Sequence, residues 1–161
     1  LAPPRCVPRR VRAAAESMTL GRVFVDTRAW FALQKTDDED HRAAAATLPG
    51  LLEACKSVVT SNLVVGETYT LLRATRGYPE ARRFLDGLAQ SARLERRFIT
   101  EGLERQAYQI LHRYADHPFS FVDATSFALM RAERIRYALA FDTHFATAGF
   151  VRIPLDHGLH P

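Results

Sequence analysis

Cysteine is nearly missing from this sequence: Cys6 and Cys55 are its only two among 161 residues. Two cysteines without metal-like spacing exclude a disulfide-stapled fold and a thiolate zinc site, so a reduced, cytoplasmic protein is expected. Long apolar runs are missing as well. Arg, Glu or Asp interrupts every hydrophobic segment well short of the roughly 20 residues that a membrane-spanning helix needs, so no membrane association is expected. There is no HExxH pair, no GxSxG elbow and no glycine-rich phosphate loop, which removes the zinc-protease, serine-hydrolase and P-loop readings. The histidines form no group of their own. His112 and His117 are too widely spaced for neighbouring turns of one helix, His41 and His144 fall on separate predicted helices, and His157 and His160 lie in the C-terminal tail. The segment VFVDT has an aspartyl-phosphate look, but Arg28 occupies the place where a second aspartate would be needed.

What remains is long enough, and apolar enough at 47%, for one domain with a real core. The net charge of +4 invites a polyanionic partner. Arg5, Arg9, Arg10 and Arg12 against Glu16 carry most of it, however, and the body is close to neutral. Residues 1–17, with three prolines and no apolar periodicity, read as a disordered leader or upstream segment, and Met18 is a candidate start. A single domain is expected over 18–161. Within it, arginines 73, 76, 82, 83, 93, 96 and 97 outnumber Glu80, Asp86 and Glu95, giving either a locally positive face or an ordinary solvated one.

The body alternates short β-branched runs with longer helical patterns. Strands are expected at VFV, SVVT, RLERRFI, ALAF and VRI. Helices are expected over about 27–34, from the acidic stretch 37–40 to about 56, and over 61–75, 79–89, 101–115 and 122–135, with a short one after Asp142. This alternation implies crossover connections and an α/β fold: a three-layer α/β/α sandwich on a mainly parallel sheet.

In such a sheet, function gathers at the carboxyl ends of the strands. Asp26 after VFV and Asp142 after ALAF stand there, each followed by threonine and a helical pattern, and Asp123 opens the helix in SFVDATSFAL. Each is also a good helix N-cap, so each has a purely structural reading beside the functional one. Glu67 differs. In SNLVVGETYTLL it shares a helical face with Leu63, Val64 and Leu71, and Thr60 or Ser61 already serves as cap. A carboxylate on that inward face needs a cation, whether an arginine or a metal. Four converging carboxylates would raise one another's pKa and persist as anions mainly when cations balance them. Oxygen-only donors match Mg²⁺ or Mn²⁺, and Mg²⁺ is commonly completed by phosphate oxygens, which points to phosphodiester chemistry.

The segments VFVDTRAWFAL, NLVVGETYTLL, SFVDATSFALM and AFDTHFATAGF, in this order and spacing between about Val23 and Ile153, resemble the PIN-domain family, and within it the VapC-type toxin ribonucleases of prokaryotic toxin–antitoxin pairs. The resemblance implies a PIN-like α/β/α sandwich and endonucleolytic cleavage of RNA with one or two Mg²⁺ or Mn²⁺ ions. Asp26 and Asp123 would be the principal metal ligands, and Glu67 and Asp142 would coordinate directly or through water. The same resemblance implies a VapB-type antitoxin that covers the cleft and a neighbouring apolar groove, and a homodimer. An inactive PIN-like module binding RNA or protein is the alternative. Thr27 and Thr125 are candidates to bond the ligating carboxylates; His144 and Phe145 are assigned to packing. Trp30, Phe31, Tyr69 and Phe119 are either base-stacking residues or core.

Overall fold

A computed structural model describes residues 20–154. The expectations for the leader, Cys6, His157 and His160 lie outside the described residues. Five strands form one sheet: β1 (Arg22–Val25), β2 (Ser57–Ser61), β3 (Leu94–Arg97), β4 (Tyr137–Leu139) and β5 (Val151–Ile153). Their order is β3-β2-β1-β4-β5, with every neighbouring pair parallel. The intervening helices are α1 (Thr27–Gln34), α2 (His41–Ala54), α3 (Asn62–Arg76), α4 (Tyr78–Gln90), α5 (Glu101–Arg113), α6 (Phe121–Ala132) and α7 (His144–Thr147).

Strand alternation divides the core into two layers, because successive side chains leave a strand on opposite faces. Phe24, Val59 and Ala138 pack against α3, α5, α6 and α7 on one side through Val64, Ala107, Ile110, Phe127 and Phe145. Val23, Val25, Val58 and Leu139 face the other side, meeting Ala29 of α1 and Leu51 of α2. Helices cover both faces, so the central strands are hydrophobic on both and read as continuous apolar runs. The three-layer α/β/α sandwich expected from the alternation is the architecture found.

Helix ends differ from expectation for identifiable reasons. The acidic stretch leads into α2, with Asp40 as its N-cap residue through the backbone, but its side chains do not cap the helix. Asp38, Glu39 and Asp40 instead grip the Arg28 guanidinium at 3.1, 3.3 and 3.0 Å, and the helix begins only at His41. The helix expected to reach residue 135 stops at Ala132, because Arg134 adopts the left-handed conformation (φ 56°) that terminates helices. ALAF is strand only as far as Leu139, so Asp142 stands three residues beyond β4 rather than at its last residue.

Candidate active site

β1 is the central strand, and the chain leaves its carboxyl end through Asp26, which caps α1 by accepting the Arg28 amide at 3.3 Å. Its side chain is at the same time only 4% exposed and faces a cleft. Asp123 is likewise both. Its amide bonds the Ser120 hydroxyl at 2.9 Å while its Oδ2 accepts the Ser120 amide at 2.8 Å, a reciprocal capping box at the start of α6. Capping and cleft placement therefore coexist at these aspartates. The cap fixes the carboxylate's orientation and leaves one of its oxygens for other work.

Asp142 is held by the turn that leads into α7. Its Oδ1 accepts the His144 amide at 2.9 Å, and Arg152 on β5 donates to the Phe141 and Asp142 carbonyls, both at 2.8 Å. Glu67 arrives from α3, where the Thr27 hydroxyl donates to its Oε2 at 2.5 Å. Its helical face differs from the inward one expected. Val64, Val65, Thr68 and Leu72 form the buried stripe of α3, whereas Glu67 is half-buried and Leu71 is 41% exposed. That face borders the cleft instead of the core. The cleft has a volume of about 270 Å³, and all four acids line it together with Thr27, Arg28, Phe31 and Leu71.

The electrostatics are those of crowded, buried carboxyls with few cations beside them. Burial, reinforced by repulsion from Asp142 and Asp123, pushes the Asp26 carboxyl up to about 8, against the pull of the Thr27 and Arg28 amides. Asp142 is raised by burial first and by Asp123 second, with the His144 amide and ring and Arg152 acting the other way. Arg28 lines the cleft, yet its guanidinium is held by Asp38, Glu39 and Asp40 rather than by Asp26. The arginine that sequence alone offers as a buried partner for Glu67 is not among its contacts, which come from Thr27.

Several side chains sit elsewhere than sequence reasoning put them. His144, assigned to packing, brings its Nδ1 within 2.9 Å of Asp123 Oδ2, and Asp123, Asp142 and His144 offer ligand atoms within 4.8 Å of one another. The signal was present: a histidine two residues after the aspartate that follows ALAF, at the first position of a helix. Thr125 is fully buried and its hydroxyl donates to the Val122 carbonyl, so it meets no carboxylate. Phe145 is core, in keeping with its assignment to packing; Phe119 is core too, Phe31 is buried but borders the cleft, and Trp30 donates its indole N–H to Thr60. The arginine cluster is largely occupied: Arg76 pairs with Asp37, Arg82 with Asp86, Arg83 with Glu80, and Arg97 with Glu95 and Glu133, while Arg93 bonds the Leu52, Cys55 and Lys56 carbonyls.

A carboxylate cleft at the carboxyl edge of an open parallel sheet has the layout of a metal-assisted hydrolase, and the donors fit a divalent ion. Buried Asp26 has no cationic side chain within ion-pairing reach among the described residues, and Asp123 has only His144. The PIN domain matches residues 23–151. The chain belongs to the PIN domain family, and within it to the VapC type. It is 42% identical over 135 residues to the 23S rRNA-specific endonuclease VapC20 of Mycobacterium tuberculosis, covering 81% of this chain and 97% of that protein. The crystal structure of M. tuberculosis VapC20, a sarcin-ricin loop cleaving toxin, superposes with a TM-score of 0.73 at 40% identity, covering 80% of this chain and 96% of the other. VapBC2 of Rickettsia felis, solved bound to a DNA fragment from its promoter, superposes with a TM-score of 0.62 at 12% identity over 81% of this chain and 96% of that one, a likeness of fold. Among the described residues, no helix is long and apolar enough to cross a membrane.

Proposed function

We propose that this chain is the toxin of a toxin–antitoxin pair and hydrolyses RNA phosphodiester bonds at the cleft formed by Asp26, Glu67, Asp123 and Asp142. The observation that carries this reading is the buried, cation-poor meeting of those carboxylates at the carboxyl edge of the sheet. Asp26 and Asp123 are the principal ligands of Mg²⁺ or Mn²⁺, with Glu67 and Asp142 coordinating directly or through water. A divalent ion held by these carboxylates would supply an activated water and neutralise charge building on the phosphate oxygens in the transition state. The chain's own contribution is orientation. Backbone amides at the α1 and α6 caps fix Asp26 and Asp123, and the Thr27 hydroxyl fixes Glu67, so the donors need little rearrangement when the ion and phosphate arrive.

The kinship to VapC20 favours a structured ribosomal RNA loop in the cytoplasm as substrate. A VapB-type antitoxin covers the cleft and the apolar groove between α1, α2, α4 and the sheet, a depression of about 290 Å³ whose lining includes Trp30, Leu48, Leu52, Phe84 and Leu88. The active form is a homodimer, and the nuclease domain spans 18–161, with 1–17 outside it. The test is cleavage of purified ribosomes and of total RNA, mapped at nucleotide resolution. Cutting is expected with Mg²⁺ or Mn²⁺ and not with Asp26→Asn or Asp123→Asn. Undiminished cleavage in excess EDTA would defeat the metal assignment, and binding without cleavage by the metal-loaded wild type would favour the inactive module.

A further inference from the structure

His144 stands against two of the cleft's acids, Asp123 and Asp142. It is the first residue of α7, its amide is bonded to Asp142 Oδ1 at 2.9 Å, and its ring meets the buried Phe119 edge-on with centroids 5.3 Å apart. The ring is therefore fixed by the same turn that fixes Asp142. Its Nδ1 lies 2.9 Å from Asp123 Oδ2. That is hydrogen-bond distance to the oxygen that also accepts the Ser120 amide. It is equally the roughly 2.9 Å separation of two donors bonded at about 2.0–2.1 Å and at right angles to one ion. Asp123, Asp142 and His144 offer ligand atoms within 4.8 Å of one another. Asp123 and Asp142, the two acids that His144 stands beside, line the cleft together with buried Asp26, which has no cationic side chain within ion-pairing reach among the described residues and so calls for a positive ion there.

We infer that His144 is a nitrogen ligand of the cleft's cation, and that the site consequently prefers a first-row transition ion such as Mn²⁺ to Mg²⁺. This rests on the metal-dependent reading proposed above. Mg²⁺ is a hard ion that keeps oxygen ligands and sheds water reluctantly, whereas imidazole is a good donor to first-row transition ions. A site of carboxylates alone leaves that choice open. Adding one preoriented imidazole biases it. The competing role for the ring is that of a positioning residue, donating Nδ1–H to Asp123 and never meeting the ion.

Pulsed electron paramagnetic resonance of the Mn²⁺-loaded full chain separates the two. The expected result is a directly bonded ¹⁴N coupling that changes to the ¹⁵N pattern when histidine alone is ¹⁵N-labelled, a measurement that needs no variant to fold. In parallel, Mn²⁺ and Mg²⁺ affinities are measured by calorimetry. Wild type should bind Mn²⁺ at least tenfold more tightly, and His144→Asp, which returns an oxygen donor, should narrow that ratio severalfold and abolish the nitrogen signal. Mn²⁺ binding with oxygen couplings alone would overturn the inference while leaving the metal reading intact. Failure of the wild type to bind Mn²⁺ or Mg²⁺ at all would overturn both.

Discussion

Replacing Asp26 with asparagine should stabilise the metal-free protein while abolishing cleavage, and the size of the gain follows from the cleft. In the fold the Asp26 carboxyl stands at about 8, against 3.8 for the free group. The folded state therefore holds this proton more tightly than the unfolded chain does. The residue's contribution favours folding most at low pH, and it is lost as the pH rises from about 4 to about 8 at up to about 1.4 kcal/mol per pH unit. Between pH 5 and 7.5 that is roughly 3 kcal/mol. Asparagine does not titrate, still accepts the Arg28 amide as an N-cap, and can direct its amide protons at neighbouring carboxylates. In EDTA, the advantage of Asp26→Asn over wild type should widen by about 3 kcal/mol between those two pH values, or by about 6–12 °C in Tm for a chain of this size. The assay is urea denaturation at pH 5 and 7.5, with and without Mn²⁺. Saturating Mn²⁺ should largely cancel that advantage at pH 7.5, because only wild type gains the binding free energy of an intact site, about 2.7 kcal/mol at a hundred times Kd. A stability difference in EDTA that does not change with pH would refute the claim that Asp26 is a buried, uncompensated acid.

Three further outcomes follow from particular contacts. Thr27→Val removes the hydroxyl that holds Glu67, so metal affinity measured by calorimetry should fall about 10–100-fold with little change in fold. Arg28→Met leaves Asp38, with a side chain only 5% exposed, beside Glu39 and Asp40 without their shared cation. A loss of about 1–2 kcal/mol is expected in denaturant unfolding at pH 7, discounted because the arginine is about a third exposed. Phe127→Ala empties a fully buried position whose ring contacts Phe119, Phe145 and Phe150 at centroid distances of 5.2, 5.0 and 5.7 Å. It should cost about 3–5 kcal/mol in denaturant unfolding.

The parts of the fold legible in the sequence were those that local chemistry determines. β5 was bounded at VRI as found, and α1 over 27–34, because an apolar run followed by a cap is a local signal. The start of α2 fell at the end of the acidic stretch, but the role of its acids was not legible, because their side chains answer to Arg28, ten to twelve residues earlier in the chain, and no window of helical periodicity contains that pairing. The burial of Glu67 was misjudged for a related reason. Periodicity shows which residues share a face, but the tertiary arrangement decides whether that face meets core or cleft. Here Leu71, one turn further on, lines the cleft beside it.

The same limit explains His144. Its neighbour Asp123 is 21 residues away in sequence, and the two meet only because α6 and α7 both begin at the carboxyl edge of the sheet. The aspartates were ambiguous for a deeper reason than lack of information. Capping and cleft-lining are not rival explanations at Asp26 and Asp123, since a strand-to-helix junction points free amides at the place where a parallel sheet opens. At Asp26 the Thr27 and Arg28 amides hold the carboxylate in that opening and pull its pKa down, partly offsetting burial and the repulsion from the neighbouring acids. Such caps let mutually repelling acids be held together in a folded protein before any cation arrives. They also predict where the strain is greatest: at Asp26, the most buried of the four acids, rather than at half-buried Glu67.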